Sequence, residues 1–462
     1  MSAMSRTFSV VGLGKLGASM AAGIASHGHQ VIGVDVSHRV VEAVNAGQAP
    51  VQETGLAELI GANRERIRAT QQHEEAILGS ELTFVIVPTP SDERGAFSLQ
   101  YAAYAFREIG KALAKKSTYH TVVLTSTVLP GATRHGLIPV LERHSGKVCG
   151  KDFGFCYSTE FVALGSVIRN FLNPDFLLIG EFDARSGEHL ETCYKEIVAN
   201  QAPARRMSLE NAELTKISVN AYVTTKITFV NMLAEMCQRI PGGDVDVVSG
   251  ALGMDTRIGR KYLTGGLGYG GPCFPRDSVA LAFLADALGV PQDLPATVDR
   301  LNRGLSGRVS EVYRQYIGPD TTVAVLGLSY KPDSHVVEES AALALVRHCL
   351  QHGIRVIGYD PLAGEMAAAE LKGQAVVLDS LKDCLAQADV VLVATPDPEF
   401  VALTAADFSD GSRRVVVIDF WRILAGKLAG QPGIEYAPYG RGGSSDQHVG
   451  KLMELWADSH AV

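Results

Sequence analysis

The sequence predicts an α/β fold: two doubly wound parallel-sheet domains flanking a central helical domain. Three observations predict it. Strand-like and helix-like stretches alternate at both ends of the 462-residue chain. The opening pattern returns in the last third, and the stretch between them has a helical period. So long a chain exceeds one compact core, and the divisions expected are 1–200, 201–300 and 301–462, with the second boundary near Pro291 to Asp299.

The first strand is Phe8-Ser9-Val10-Val11, which runs into Gly12-Leu13-Gly14-Lys15-Leu16-Gly17 and a small-residue helix to about Ser26. A second strand, Gln30 to Val34, ends in Asp35, which stands 21 residues after Gly14. Strand, GxGxxG, helix, strand and acid in this order form a dinucleotide fingerprint of the Rossmann type. The first glycine makes the turn, the second admits the pyrophosphate and the third lets helix and sheet pack. Asp35 would bind the ribose 2′-OH and repel a 2′-phosphate, which favours NAD over NADP. Two more strands, Glu81 to Val87 and Tyr119 to Leu124, end in Pro88-Thr89-Pro90 and Thr125-Ser126-Thr127-Val128. Such endings lie on the ligand edge of a doubly wound sheet; helix capping is the plainer use of their hydroxyls.

Phe153 to Tyr157 reads as a strand leading into Ser158-Thr159-Glu160-Phe161. From about Pro203 to Cys237 the period is helical, with Lys216 and Asn220 on one face. That face is either a site beside Cys273 or a solvated polar surface. The stretch Gly265-Gly266-Leu267-Gly268-Tyr269-Gly270-Gly271-Pro272-Cys273-Phe274-Pro275-Arg276-Asp277 follows. Its glycines allow a backbone to approach a ligand closely. A thiol after such a loop, in a chain with a dinucleotide fingerprint, suggests a covalent step coupled to hydride transfer. The plainer alternative is a buried structural cysteine.

The last third restarts the motif. Thr321 to Leu328 echoes the opening strand and turn, and Val356-Ile357-Gly358-Tyr359-Asp360 repeats Val31-Ile32-Gly33-Val34-Asp35. Val391 to Pro396 mirrors Val85 to Pro90. Here Gly327-Leu328-Ser329-Tyr330-Lys331-Pro332 replaces the glycine fingerprint, so this copy is expected to take a different ligand, an anionic nucleotide group.

A formal charge of −8 without a basic run argues against nucleic acid or an anionic membrane as partner. No secretory pattern opens the chain, and no apolar run reaches the roughly 18 residues of a membrane span. Seven scattered cysteines without CxxC fit reduced thiols, neither a disulfide framework nor a metal site. A cytoplasmic protein is expected.

On these motifs the sequence resembles the UDP-glucose/GDP-mannose dehydrogenase family over nearly its whole length. The matching residues are the fingerprint, Glu53 to Leu56, Ser126-Thr127-Val128 with Pro130-Gly131, Glu160-Phe161, Glu213 to Lys216 with Asn220, Asp255 to Gly259, the loop ending at Cys273, and Gly327 to Pro332. The resemblance implies oxidation of the C6 hydroxymethyl of a nucleotide sugar to a carboxylate with two NAD. It casts Cys273 as the nucleophile that forms a thiohemiacetal and then a thioester. Lys216 and Asn220 would stabilise the oxyanion, Asp277 with Thr127 and a water would take the alcohol proton, and Glu160 would act in thioester hydrolysis. Gly12 to Gly17, Asp35, Pro88, Thr89, Pro90, Ser126 and Thr127 would hold NAD. The sugar nucleotide would lie on Glu160, Phe161, Lys216, Asn220, Tyr262, Thr264, Gly265, Gly268, Tyr269, Gly270 and Lys331. Arg257 would reach the substrate of a partner subunit, which implies a homodimer.

UDP-glucose leads as substrate, and the Phe-Pro-Arg-Asp ending is similar to that branch; a UDP-N-acetyl-hexosamine or GDP-mannose is the alternative. The chain departs from the family pattern at Val40, Leu164, Pro272, Glu338 and Asp419-Phe420-Trp421-Arg422. Trp421 would either stack on a base or fill a gap. Leu164, Glu338 and Trp421 motivate a further reading, a catalytically weak NAD-binding regulatory paralogue. A single-step β-hydroxyacid dehydrogenase would need neither the cysteine nor the last domain.

Overall fold

The structure, a computed structural model, describes residues 5–162, 164–291, 293–318, 320–409, 413–443 and 446–455. The chain forms two compact units, Met1–Val219 and Asn220–Val462. Among the described residues no helix is long and apolar enough to cross a membrane.

The first unit is built on eight strands: β1 (Thr7–Val11), β2 (Gln30–Val34), β3 (Ile67–Thr70), β4 (Leu82–Val85), β5 (Thr121–Leu124), β6 (Gly154–Tyr157), β7 (Leu177–Glu181) and β8 (Ala204–Ser208). Their order is β3-β2-β1-β4-β5-β6-β7-β8, parallel throughout except for the β6–β7 pair. β4 and β5 are buried along their whole length, as parallel strands covered on both faces must be. The strand order reverses between β1 and β4, which opens a crevice at their carboxyl ends.

The expected helix from Pro203 starts later. Ala204 to Ser208 form β8 instead, and the helix runs Leu209–Arg239. Pairing with β7 decides this: the backbone of Leu177–Glu181 completes the ladder, and Arg206 reaches Glu181 at 2.7 Å.

The second unit holds a parallel six-stranded sheet of β9 (Thr322–Leu326), β10 (Arg355–Tyr359), β11 (Val376–Val377), β12 (Val390–Val393), β13 (Val415–Asp419) and β14 (Ile434–Pro438), in the order β11-β10-β9-β12-β13-β14. Each unit thus carries a Rossmann-like doubly wound sheet, and a helical stretch lies between the two in sequence.

The repeat seen in the sequence is a repeat of structure. Gly12 N donates to Val34 O at 2.7 Å, and Gly327 N donates to Tyr359 O at 2.8 Å. Both glycines have positive φ, +93° and +88°, where a side chain is strained. Leu13 N and Leu328 N donate to Asp35 and Asp360 respectively. The copies then diverge. The first turn enters the helix Lys15–Ser26 at once, whereas the second delays its helix to Ala341, capped by Ser340. Asp360 also accepts from Ser329, Leu362 and Ala363.

A methyl group at Gly17 would lie 1.8 Å from Gly12 O. Gly17→Ala should therefore force the helix off its turn and lower stability by about 2–3 kcal/mol, a loss that thermal unfolding will measure. An unfolding temperature equal to wild type would show that the two backbones are not in contact.

Candidate active site

In the first unit, Gly12 passes so close to β4 that a Cβ there would sit 2.1 Å from Ile86 O. Gly14 is the opposite case, because nothing lies within 4 Å of a Cβ built on it. It is also the N-cap of the twelve-residue helix Lys15–Ser26, whose first turn carries no acid. Open backbone at the positive end of a helix suits a pyrophosphate. Lys15 and Leu16 are half-buried in that first turn. Asp35 accepts from Leu13 N at 2.9 Å and Ser37 N at 2.8 Å, one bond to each carboxylate oxygen. Each oxygen therefore keeps acceptor capacity for a ribose hydroxyl. These residues fit NAD.

Pro88 and Pro90 are exposed at the end of β4 and flank the buried Thr89. Thr89 donates to Thr127 O at 2.7 Å, and Ser126 bonds both Val87 O and Val87 N. These hydroxyls tie the ends of β4 and β5 together and cap no helix.

Glu160 follows β6. Its carboxylate accepts from Tyr194 Oη at 3.2 Å, and its carbonyl accepts from Lys216 Nζ at 3.2 Å. The same ammonium lies 4.8 Å from the centroid of the Phe161 ring. Desolvation pushes the Glu160 carboxyl up to about 7, against the Tyr194 hydrogen bond and the Lys216 charge. A carboxyl that changes protonation near neutral pH is suited to general acid–base work. One turn before Lys216, the buried Glu213 accepts from Gly131 N and Thr133 N at 2.6 and 2.9 Å. It thereby caps the helical turn Ala132–Leu137.

In the second unit, Cys273 is the N-cap of the helix Phe274–Ala287. Asp277 stands one turn later, its N–H on Cys273 O at 2.9 Å. Asn220 Nδ2 donates to Asp277 at 2.7 Å, and both side chains are buried. Lys216 and Asn220 are only 8% and 9% exposed, so the solvated-face reading of that helix does not hold. Six cysteines, Cys149, Cys156, Cys193, Cys237, Cys349 and Cys384, are buried, and burial pushes the Cys349 thiol up to about 11. Cys273 is exposed, and the peptide dipoles of its helix favour negative charge at that end. The buried structural reading thus fits the other six and fails for Cys273.

The glycine loop differs from expectation. Its glycines leave room for the protein itself. A Cβ on Gly266 would meet the Trp421 ring at 2.8 Å, one on Gly268 the Asn302 amide at 2.5 Å, and one on Gly270 Glu339 O at 2.2 Å. Asn231 bonds Gly266 N and Leu267 O, and Asn302 bonds both N and O of the buried Tyr269. Trp421 fills a gap: its ring covers Gly266, and its Nε1 donates to Ala394 O at 2.8 Å. Thr264, Tyr262 and Arg257 are at the surface. The Arg257 guanidinium folds onto Asp255 in its own turn, and Tyr262 sets its ring edge-on to Phe274. Lys331 is half-buried, its Nζ 5.9 Å from the Tyr330 ring centroid.

Residues 6–198 match the NAD binding domain of the UDP-glucose/GDP-mannose dehydrogenase family, residues 210–304 its central domain and residues 324–426 its UDP binding domain. The chain belongs to this family. It is an NAD-dependent nucleotide-sugar 6-dehydrogenase by membership. A UDP-glucose 6-dehydrogenase of Haloferax volcanii is 38% identical, over 90% of this chain and 96% of that protein. A GDP-mannose 6-dehydrogenase of Azotobacter vinelandii is 32% identical, over 89% and 96%. The solved UDP-glucose dehydrogenase of Pyrobaculum islandicum superposes with a TM-score of 0.84 at 32% identity, covering 94% of this chain and 97% of that one.

The partners that hold these candidate groups were not read in the sequence. Tyr194 bonds Glu160, Asn231 and Asn302 bond the glycine loop, and Arg422 bonds Gly265 O. Asn231 alone left a trace: Lys216, Asn220, Thr224, Thr228 and Asn231 recur at helical spacing and are all buried, a polar stripe inside an apolar helix. At the departure before Gly165, Gly165 N and Val167 N both bond Glu53. At Glu338, the carbonyl accepts from Gly271 N.

Because burial raises Glu160 above its unfolded value, its contribution to stability is complete below about pH 4.5 and is lost as pH rises through about 7. Infrared titration should show a carboxyl band with a midpoint near 7 that Glu160→Gln removes. The stability of wild type relative to that variant should fall over the same window. A midpoint near 4.5 would mean that desolvation does not control this group.

Proposed function

We propose that the enzyme oxidises UDP-glucose at C6 to UDP-glucuronate in two successive steps, with Cys273 as covalent nucleophile. The observation that carries the reading is an exposed thiol at a helix N-terminus, one turn from the buried Asp277–Asn220 pair, in an NAD-dependent family. NAD, when bound, supplies the hydride acceptor for both oxidations. An aldehyde carbonyl must first gain a nucleophile before it can lose a second hydride, and a thiolate adds well. The sulfur–carbon bond made at C6 breaks when water attacks the thioester, which frees the carboxylate and restores the thiol. Asp277, with Thr127 and a water, takes the hydroxyl proton. Lys216 and Asn220 offset the charge on the C6 oxygen. Glu160, with its carboxyl near 7, activates the hydrolytic water.

Gly12 to Gly17, Asp35, Pro88 to Pro90 and Ser126 with Thr127 hold NAD in this reading. Residues 1–200 bind NAD, 201–300 carry the cysteine loop and 301–462 bind the nucleotide, with Lys331 on its phosphates. The backbone of Thr264 to Gly270, Phe161 and Tyr262 take the sugar nucleotide. UDP-glucose is preferred because the 38% identical Haloferax protein bears that activity; the Azotobacter relative keeps GDP-mannose as the second reading. The enzyme acts as a homodimer. Tyr222, Phe229 and Met236 recur at seven-residue spacing on one helix stripe, 64%, 47% and 49% exposed, and so regular an apolar stripe supports self-association. Arg257, exposed at a turn, is the residue that reaches the partner subunit. Free cysteines and NAD chemistry support a cytoplasmic enzyme.

A screen of NADH release over UDP-glucose, UDP-N-acetylglucosamine, UDP-galactose and GDP-mannose should give two NADH per UDP-glucose and least with the others. One NADH per sugar would indicate a simple dehydrogenase. Cys273→Ala should cut acid formation by at least about a thousandfold while NAD affinity is unchanged. Undiminished uronate from that variant would falsify the covalent route.

A further inference from the structure

We infer that Arg422 is a positioning residue that locks the cysteine loop onto the C-terminal sheet. Its side chain is 1% exposed, and all five of its N–H groups are used. Nε and Nη2 bind the two Asp246 oxygens at 2.8 and 2.9 Å. Nη1 donates to Phe420 O at 2.7 Å and Tyr439 O at 3.0 Å. The remaining Nη2 hydrogen goes to Gly265 O at 2.7 Å. A guanidinium has five donors in a rigid fork, so no other side chain can make this set.

The backbone is held in an unfavourable conformation to make it: Arg422 has φ +58°, a region that residues with a β-carbon seldom adopt. Asp246 lies in the first turn of the helix Val245–Met254. One arginine therefore joins that helix, the end of β13, the strand end at Tyr439 and the start of the loop. The neighbouring Trp421 covers Gly266 from the same side. At the other end of the loop, Gly271 N donates to Glu338 O, and the Tyr330 ring lies against Gly271. The loop is thus fixed at both ends by segments that follow strands of the C-terminal sheet, and Cys273 follows two residues later. Arg422 sets where the thiol stands while taking no part in bond making. The sequence alone places it one position beyond the arginine usual in the family, and its partners are structural.

Hydrogen exchange and steady-state kinetics on full-length Arg422→Lys test this. Amides of residues 265–271 should exchange about tenfold faster, with those of β12 and β13 unchanged. kcat should fall about tenfold while KM for NAD stays within about twofold. If that variant does not fold, Asp246→Asn weakens the bidentate pair, together with the longer Arg441 contact at 3.5 Å, and should give the same pattern at about threefold. Unchanged loop exchange, or equal acceleration in loop and sheet, would overturn the inference. The exchange arm needs no substrate: wild type that releases no NADH from UDP-glucose would sink the proposed activity and leave the clamp standing.

Discussion

Backbones that approach one another more closely than a β-carbon permits are the constraint on which this molecule depends. Gly12 lies under Ile86 O, Gly17 under Gly12 O, and Gly270 against Glu339 O. Each contact costs roughly 0.5–1 kcal/mol in glycine's lost conformational freedom, which close packing and hydrogen bonding offset. In return, the turns that present a helix N-terminus or a thiol are held by main chain, the least adjustable part of the protein. Among the three fingerprint glycines, only Gly14 has its free side facing open space. At the N-cap of the first helix that open side leaves room for a pyrophosphate.

Buried polar groups add the second level of order. Along the helix Leu209–Arg239, Glu213, Lys216, Asn220, Thr224 and Asn231 are buried, and each has a hydrogen-bonding partner. Such groups are costly when unsatisfied and specific when paired. The partners sit at fixed positions: a turn amide for Glu213, a carbonyl for Lys216, a carboxylate for Asn220 and loop backbone for Asn231. Each of these side chains is therefore fixed in direction by its own partner. In the same way, the Glu160 carboxyl owes its value near neutrality to desolvation that one tyrosine hydrogen bond and one ammonium do not overcome.

Most of the sheet framework was legible in the sequence because its marks are local. Apolar runs, the glycine fingerprint and the acid after β2 lie within forty residues of one another and need no distant partner. Strand β8 was not legible, because two adjacent arginines look helical until β7 lies beside them. The cysteine loop was legible as a loop but ambiguous in meaning. A run of glycines shows that something comes close without showing whether it is substrate or the indole of Trp421. Arg422 showed in the sequence only as part of a departure from the family pattern, since its burial depends on Asp246, 176 residues away. Lys216, Asn220, Cys273 and Asp277 were singled out by their family pattern, and the structure adds that Asn220 and Asp277 share a hydrogen bond.

The duplicated turn has one further consequence. Asp360 receives four amide hydrogens, from Leu328, Ser329, Leu362 and Ala363, which fills the acceptor sites of a carboxylate. Its counterpart Asp35 receives only two. In the later half the acid at this position is thus a rivet for its own turns. A nucleotide arriving there finds no spare lone pair at that corner and has to be gripped by other side chains along the rim.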